Sequence, residues 1–477
     1  MEALFLIAVA LGFGLAALAV PSNRWRPWLV PAGATLHLAL TLRALGAGVA
    51  PTPGAWVGLD PCGRLVLGVV SLLFWVCSWY TVGYLAHRRG RPNRVFCACL
   101  LGFLGMATLV AFSQHFGLQW VAMEATTLIT APLIYFNRTP RSIEATWKYL
   151  LLCSVGIALA LLGSFFLAYA ALGEGLEPSL VLGDLVAAAP RLSAPWLHGA
   201  FALLLVGYGT KMGLAPMHSW KPDAYGEAPG VVGALFAGGM TSCAFLAIVR
   251  AYQVMGAAGL GPDARRQLLA LGLTSVAVAA VFLVRQRDLK RMLAYSSVEH
   301  MGILVLGLGL GGGATFGALF HMVNNGLVKG LLFLAVGNLH RAYATKSLDG
   351  VAGAWRRLPL TGWLFAGGLF AVTGSPPFGP FRSLFQILRG GLEQGHTVVV
   401  GVLAVLLLVV FLGMGAAVLA AVQGPPSPEA RATDYRDGFL TGAPLVVFFA
   451  LVCLLGLWLP GPVEHLLTTA ETALLVQ

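Results

Sequence analysis

Long runs of apolar residues separated by short polar joints dominate the chain from end to end. Stretches of the roughly 20 residues needed to cross a bilayer recur with centres near Ala10, Leu36, Leu73, Gly105, Thr127, Ala158, Leu204, Gly239, Ala277, Leu304, Leu332, Phe365, Leu406 and Cys453. The joints are rich in Pro, Gly, Arg and Asp. Continuous runs of this length predict an all-α polytopic membrane protein of about fourteen transmembrane helices, because a lipid-facing backbone must satisfy its own hydrogen bonds and barrel strands would alternate. The first run, Ala3 to Val20, has no basic leader and no small-residue cleavage site, and reads as a span. Gly311, Gly312 and Gly313 lack a preceding strand and a following phosphate-binding lysine, and read as a tight turn between spans.

Composition agrees with a lipid environment. Of 477 residues, 58% are hydrophobic and 10% charged, with mean hydropathy +0.82, too little polar surface for a water-soluble globule of this size. The 60 glycines let helices approach closely. The 7 cysteines lie mostly in or beside spans without a C-x-x-C and read as small buried apolar residues. With no cysteine pattern for nickel or an iron–sulfur cluster, no zinc spacing and no triad, the chain itself is expected to hold no cofactor and no metal.

The net charge of +11 is distributed asymmetrically. Odd-numbered loops carry nineteen Lys and Arg, among them Arg88, Arg89, Arg91, Arg94, Lys221, Lys290 and Arg431; even loops carry eight, among them Arg191, Arg250 and Arg382. The positive-inside rule then makes the odd loops cytoplasmic and, with an even number of spans, turns both termini outward. Nucleic acid is not needed to explain the charge; the partner is the lipid bilayer.

Three cations, Lys148, Lys211 and Lys329, fall in no loop. A charge near the bilayer centre costs at least about 2.5–3.5 kcal/mol, so such residues face a bundle interior and serve a function. That all three are lysine matters, because lysine releases a proton when desolvated and arginine does not. Among the acids, Glu124 and Glu299 lie within or at the edge of apolar segments, Glu124 the deeper. The two halves share an order of acid, lysine on the next span, then a proline-broken span: Glu124, Lys148 and Pro216, then Glu299, Lys329 and Pro376 with Pro377. Gly213 and Pro216 loosen the helix just after Lys211, and repeated halves with broken helices near the midplane are transporter architecture.

Each residue has a plainer reading. Lys148 follows Glu144 by four residues, so a surface ion pair stands beside a proton-path role. Lys211 and Glu124 also fit a buried pair fixing helix register. His321, eight residues before Lys329 and on nearly the same face, reads as a relay or a hydrogen-bonded core residue. Glu299, His300 and His218 stand between a relay and a capping or interface role.

The segments TKMGLAPMHSWKPDAYGEAP, QRDLKRMLAYSSVEHMG and HMVNNGLVKGLLFLAVGN resemble the antiporter-like membrane subunits of respiratory complex I, multisubunit cation/proton antiporters and membrane-bound hydrogenases. The resemblance covers residues 95 to 390. WVAMEATTLIT and EATWKYLLLCSVGIALAL are most similar to the F subunit of hydrogenase-4 and formate hydrogenlyase complexes.

The resemblance implies three N-terminal helices in residues 1–94, inverted five-helix repeats in 95–253 and 264–423 with helices 7 and 12 broken, and helix 14 with a short tail in 424–477. It implies that Glu124 pairs with Lys211, and that Lys329 with His321 forms a central site. It departs at Ser242, Asn325 and Leu384, where many relatives place a bridging lysine, a histidine, and a terminal lysine or glutamate. The expected function is proton translocation, with sodium open, in the cytoplasmic membrane of a bacterium or archaeon. Other membrane-arm subunits and a hydrophilic redox arm are the expected partners. The alternatives are a scaffold that has lost part of the wire, and a proton-coupled partner of a carbon dioxide hydrating complex.

Overall fold

Apolar sequence in lipid offers the backbone no water, and each long segment closes its hydrogen bonds within a helix. The computed structural model describes residues 2–48, 52, 54–88, 90–427 and 433–475; Arg89 and Arg431 lie outside the described residues. The helices are α1 (Glu2–Ala19), α2 (Leu29–Ala47), α3 (Pro61–Ala86), α4 (Arg94–Phe112), α5 (Phe116–Ile134), α6 (Pro140–Leu172), α7 (Leu182–Ala188), α8 (Ala194–Met212), α9 (Trp220–Glu227), α10 (Gly230–Leu235) and α11 (Thr241–Ala257). They continue as α12 (Gly261–Leu283), α13 (Leu289–Leu310), α14 (Gly313–Tyr343), α15 (Ala354–Arg357), α16 (Pro359–Val372), α17 (Gly379–Glu393), α18 (Thr397–Val422), α19 (Phe439–Leu457) and α20 (Gly461–Leu475).

Each span centre expected from the sequence falls within a helix, Gly239 in the single π turn Phe236–Met240 that joins α10 to α11. Among the described residues, 11 helices are long and apolar enough to cross a membrane. Local chemistry sets their ends. Thr139 and Ser142 close a capping box at the start of α6, Asp288 accepts from the Lys290 and Arg291 amides to start α13, and Gly311 and Gly312, both at positive φ, make the expected turn between α13 and α14.

The joined helix α10–α11 with α13 and α14 forms the centre and is almost wholly buried, whereas α1, α6, α12 and α18 form a perimeter. The perimeter turns Leu15, Phe165, Val281, Val398, Val405 and Leu412 outward, a surface suited to lipid. Close approach within the bundle uses glycine: a Cβ at Gly207 would lie 2.6 Å from the Gly156 carbonyl, so α6 and α8 meet backbone to backbone. All seven cysteines are free thiols, five of them buried.

Burial corrects several charges assigned to loops, Arg250, Lys221 and Lys290 among them. Arg250, expected in an even loop, lies inside α11 with 1% exposure and pairs with Asp60 at 2.5 Å. Its guanidinium also donates to the Val110 and Ala111 carbonyls at 3.0 and 2.9 Å, and Gln114 donates to the same Asp60 oxygen at 3.0 Å. This ties α3, α4 and α11 together where apolar periodicity alone gives no register. Lys221 is likewise buried completely.

Candidate functional site

Two helices of the bundle break, and the breaks carry the chemistry. α8 stops at Gly213, whose φ of +82° suits glycine, and the chain turns through Pro216 before resuming as α9. The freed carbonyls at the end of α8 are capped by side chains from beyond the break: Trp220 Nε1 donates to Thr210 O at 2.9 Å and Lys221 Nζ to Met212 O at 2.8 Å. A Cβ at Gly213 would lie 2.5 Å from Lys221 Cδ. Gly213→Ala is therefore expected to cost at least the roughly 1–2 kcal/mol of a left-handed alanine and to lower the thermal midpoint of the assembled protein, read by unfolding in detergent. The second break separates α16 from α17 and includes Gly374 at φ +74°, Pro376 and Pro377. Asn324 on α14 donates to the Gly379 carbonyl at 3.1 Å and holds the restart.

At the first break, Lys211 occupies the last turn of α8, fully buried. Its ammonium donates to Thr127 Oγ1 at 2.6 Å and to the Tyr149 hydroxyl at 3.1 Å, and lies 5.1 Å from the centre of the Tyr149 ring. Thr127 Oγ1 donates to Glu124 Oε2 at 3.2 Å, and Ser154 Oγ donates to Glu124 Oε1 at 2.8 Å. Glu124 and Lys211 are thus brought together, with a threonine hydroxyl standing between them where a direct pair was expected. Glu124 is half-buried, whereas Glu299 is 2% exposed; both lie near the middle of their helices, Glu124 in α5 and Glu299 in α13. α5 faces α6 at this point, so Ser154 reaches the carboxylate one helix away.

A second centre repeats the arrangement. Lys329 Nζ on α14 donates to Ser296 Oγ at 2.6 Å, and Ser296 Oγ to Glu299 Oε2 at 3.4 Å. In both centres the hydroxyl lies three residues from the acid on the same helix, one turn away: after it at Glu124 and Thr127, before it at Ser296 and Glu299. His321 does not hydrogen-bond Lys329; its Nε2 meets His300 Nδ1 at 2.8 Å and its Nδ1 meets Ser383 Oγ at 2.9 Å. The two stacked imidazoles extend the centre from α13 through α14 to α17, beyond the second break.

Other expected residues lie elsewhere. Lys148, expected in no loop, is 46% exposed and bonded to Glu144 at 2.6 Å and Asp223 at 3.0 Å; its surface ion pairs, not the buried centres, are where it sits. Arg291 shares Asp223 with it. His218 is partly buried between the rings of Phe282 and Tyr295, away from either lysine's hydrogen bonds. Ser242 spends its hydroxyl on the Gly238 carbonyl of its own helix at 2.6 Å. Asn325 donates to Ala237 O at 3.0 Å, and Leu384 packs into an apolar cluster with Ile303, Leu306 and Ile387.

Residues the sequence left unmarked complete the site. Thr127, Tyr149, Ser154, Ser296 and Ser383 supply hydroxyls, and hydroxyl residues are too common in membrane helices to stand out. Lys221 was legible as a cation but was placed in a loop because the polar run KPDAYGE surrounds it. The trace of its position was its closeness to the break, eight residues after Gly213.

Sequence comparison fits this geometry. A family described as "NADH:quinone oxidoreductase/Mrp antiporter, TM" matches residues 113–411. The "Hydrogenase-4 component F homolog" of Methylacidiphilum infernorum is 33% identical over 419 residues, 86% of each chain. The "NADH-quinone oxidoreductase subunit 14" of Thermus thermophilus is 33% identical over 82% of this chain and 85% of its own length. A chain of an archaeal membrane-bound sulfane sulfur reductase superposes with TM-score 0.88 at 22% identity, covering 99% of this chain and 98% of that one, which speaks to the fold alone. With two lysines buried inside the bundle and more than half its length matched by one family, the chain belongs to the NADH:quinone oxidoreductase/Mrp antiporter transmembrane family.

Proposed function

We propose that this chain is the proton-translocating, antiporter-like subunit of a redox-driven membrane complex of the hydrogenase-4, formate hydrogenlyase or complex I-like kind. The observation that carries this reading is the pair of buried lysines, each tethered through one hydroxyl to a carboxylate. A hydroxyl donates and accepts at once, so it passes a proton between the groups it joins without keeping a charge. Lysine and glutamate on its two sides exchange the charged pair for the neutral pair when that proton moves. Charge on Lys329 repels charge toward Lys211, which then draws on Glu124.

The reading includes fourteen spans in three N-terminal helices, two inverted five-helix repeats and a final helix, with both termini outside. It includes neighbouring membrane subunits and a hydrophilic arm that holds the redox centres. Protons are favoured over sodium because three-donor lysine ammonium groups occupy the centres.

A second reading, a scaffold that lost its outlet, is favoured by Leu384 within an apolar cluster just past the second break. Proton uptake into vesicles holding the native complex, driven by its redox reaction, separates the two. Glu124→Gln keeps the shape and one accepting oxygen, replaces the other by an amide donor and removes the titrating carboxylate, and is expected to lower uptake by about tenfold or more, a positioned acid–base group contributing on the order of 100-fold. Equal uptake by assembled wild-type and variant complexes would favour the scaffold.

A further inference from the structure

Thr127 and Ser296 organise two centres, but a wire needs a connection between them, and Ser242 on α11 does not provide it: its hydroxyl is turned back to Gly238 O. Lys221 lies in the intervening space. It comes from α9, the segment that restarts after the first break, and none of its surface is exposed. Its stem crosses Gly213, two residues after Lys211, and its ammonium sits on Met212 O at the carboxyl end of α8, where the helix dipole favours a cation.

On its other side, Lys221 Nζ stands 5.5 Å from the Tyr225 ring centre, one turn along α9. The Tyr225 hydroxyl faces Ser297, the neighbour of the serine that holds Lys329, and the Tyr225 ring packs edge-on against Phe333, one turn beyond Lys329. Neither Tyr225 OH nor Ser297 Oγ makes a hydrogen bond among the described residues, and both are buried. A buried hydroxyl without a partner costs about 1–3 kcal/mol, which a water joining the two would offset. Lys221 feels the charge of Lys329, and Cys153, beside the first centre, feels both Lys211 and Lys221.

We infer that Lys221 is the proton-carrying link between the Lys329 and Lys211 centres, taking on α9 the part that the resemblance assigns to a lysine at Ser242. This rests on the proton-translocating reading. In one transfer the Lys329 ammonium gives a proton through Ser296 toward Ser297 and Tyr225; each hydroxyl or water on the way accepts one proton and releases one; Lys221, an amine beforehand, becomes the ammonium, and Lys329 is left as the amine. In the next, Lys221 gives a proton to the Lys211 amine and returns to the amine itself. The Lys221 amine still has N–H groups for Met212 O, so the cap on α8 survives both states. Repulsion between the two ammonium states makes occupation of one site discharge the other.

The plainer role for Lys221 is that cap alone, and arginine distinguishes the two. Lys221→Arg keeps a cationic donor for Met212 O but does not release a proton, while Lys221→Met keeps the stem and removes the charge. Redox-driven uptake in vesicles of the native complex would be measured for both beside Lys211→Met, with subunit stoichiometry and thermal midpoint recorded. The inference expects an arginine variant that assembles with an unchanged midpoint and loses uptake at least tenfold, and a methionine variant that loses it too. Wild-type uptake by the arginine variant would reduce Lys221 to a cap and overturn the inference. If Lys221→Met does not assemble, the arginine variant with Tyr225→Phe decides: the phenol's removal should slow uptake several-fold, and wild-type uptake in both overturns the link. Loss in Lys211→Met with full uptake in the Lys221 variants sinks Lys221 only; full uptake in all three sinks the proton-translocating reading itself.

Discussion

Replacing Lys211 by methionine is expected to abolish most redox-driven proton uptake, by on the order of 100-fold, the scale set by a positioned acid–base group, while leaving the complex assembled. Methionine matches the length of the lysine stem and stays apolar, so α8 keeps its packing against α6. What disappears is the ammonium that donates to Thr127 and Tyr149. Thr127 then still donates to Glu124, but nothing on its other side takes or supplies a proton. Lys211→Arg sharpens the test: it retains a charge and its donors and is expected to lose uptake as well, because the guanidinium does not deprotonate. Vesicle uptake with the subunit composition checked on the purified complex gives the result; near-normal uptake by either variant would remove Lys211 from the path.

The largest structural effect is expected at Arg250. Removing one partner of a buried pair leaves the other charge uncompensated and costs about 3–5 kcal/mol. Arg250→Leu would leave Gln114 as the remaining side-chain donor to the Asp60 carboxylate among the described residues and take the guanidinium's bonds from the Val110 and Ala111 carbonyls at the end of α4. The expected outcome is a marked fall in the thermal midpoint in detergent and a lower yield of assembled subunit. Arg250→Leu combined with Asp60→Leu is expected to recover most of that loss, since two apolar groups of similar volume need no partner. If the double variant is as unstable as the single one, the guanidinium's bonds to the α4 carbonyls matter more than the carboxylate.

How much of this was legible beforehand differs by residue. Lys211 and Lys329 stood out because a lysine inside an apolar run has no cheap surface to reach, and both lie buried at the centres. Gly213 and Pro216 marked the first break because a positive φ and a missing amide leave little else for those residues to do. Lys148 shared their place outside the loops, but Glu144 four residues before it already offered a surface ion pair, and the start of α6 brings it beside Glu144 and the Asp223 of α9 at the surface. Lys221 looked solvated because its neighbours in sequence are polar, and is the more completely buried of the two.

The sequence by itself determined the solvent, the helical class and where the apolar helices lie along the chain, because these follow from summed transfer energies that depend on local composition and not on which helix meets which. It also singled out Glu124, Glu299, Lys211 and Lys329, since a charge in an apolar run is costly wherever the run packs. Only the tertiary structure decided which hydroxyls join those charges, that Arg250 meets Asp60 across 190 positions of sequence, and that Lys221 turns inward over Gly213. Hydrogen bonds and ion pairs act over a few ångströms, so the partner of a buried charge is set by helix register and crossing, which no one-dimensional pattern carries.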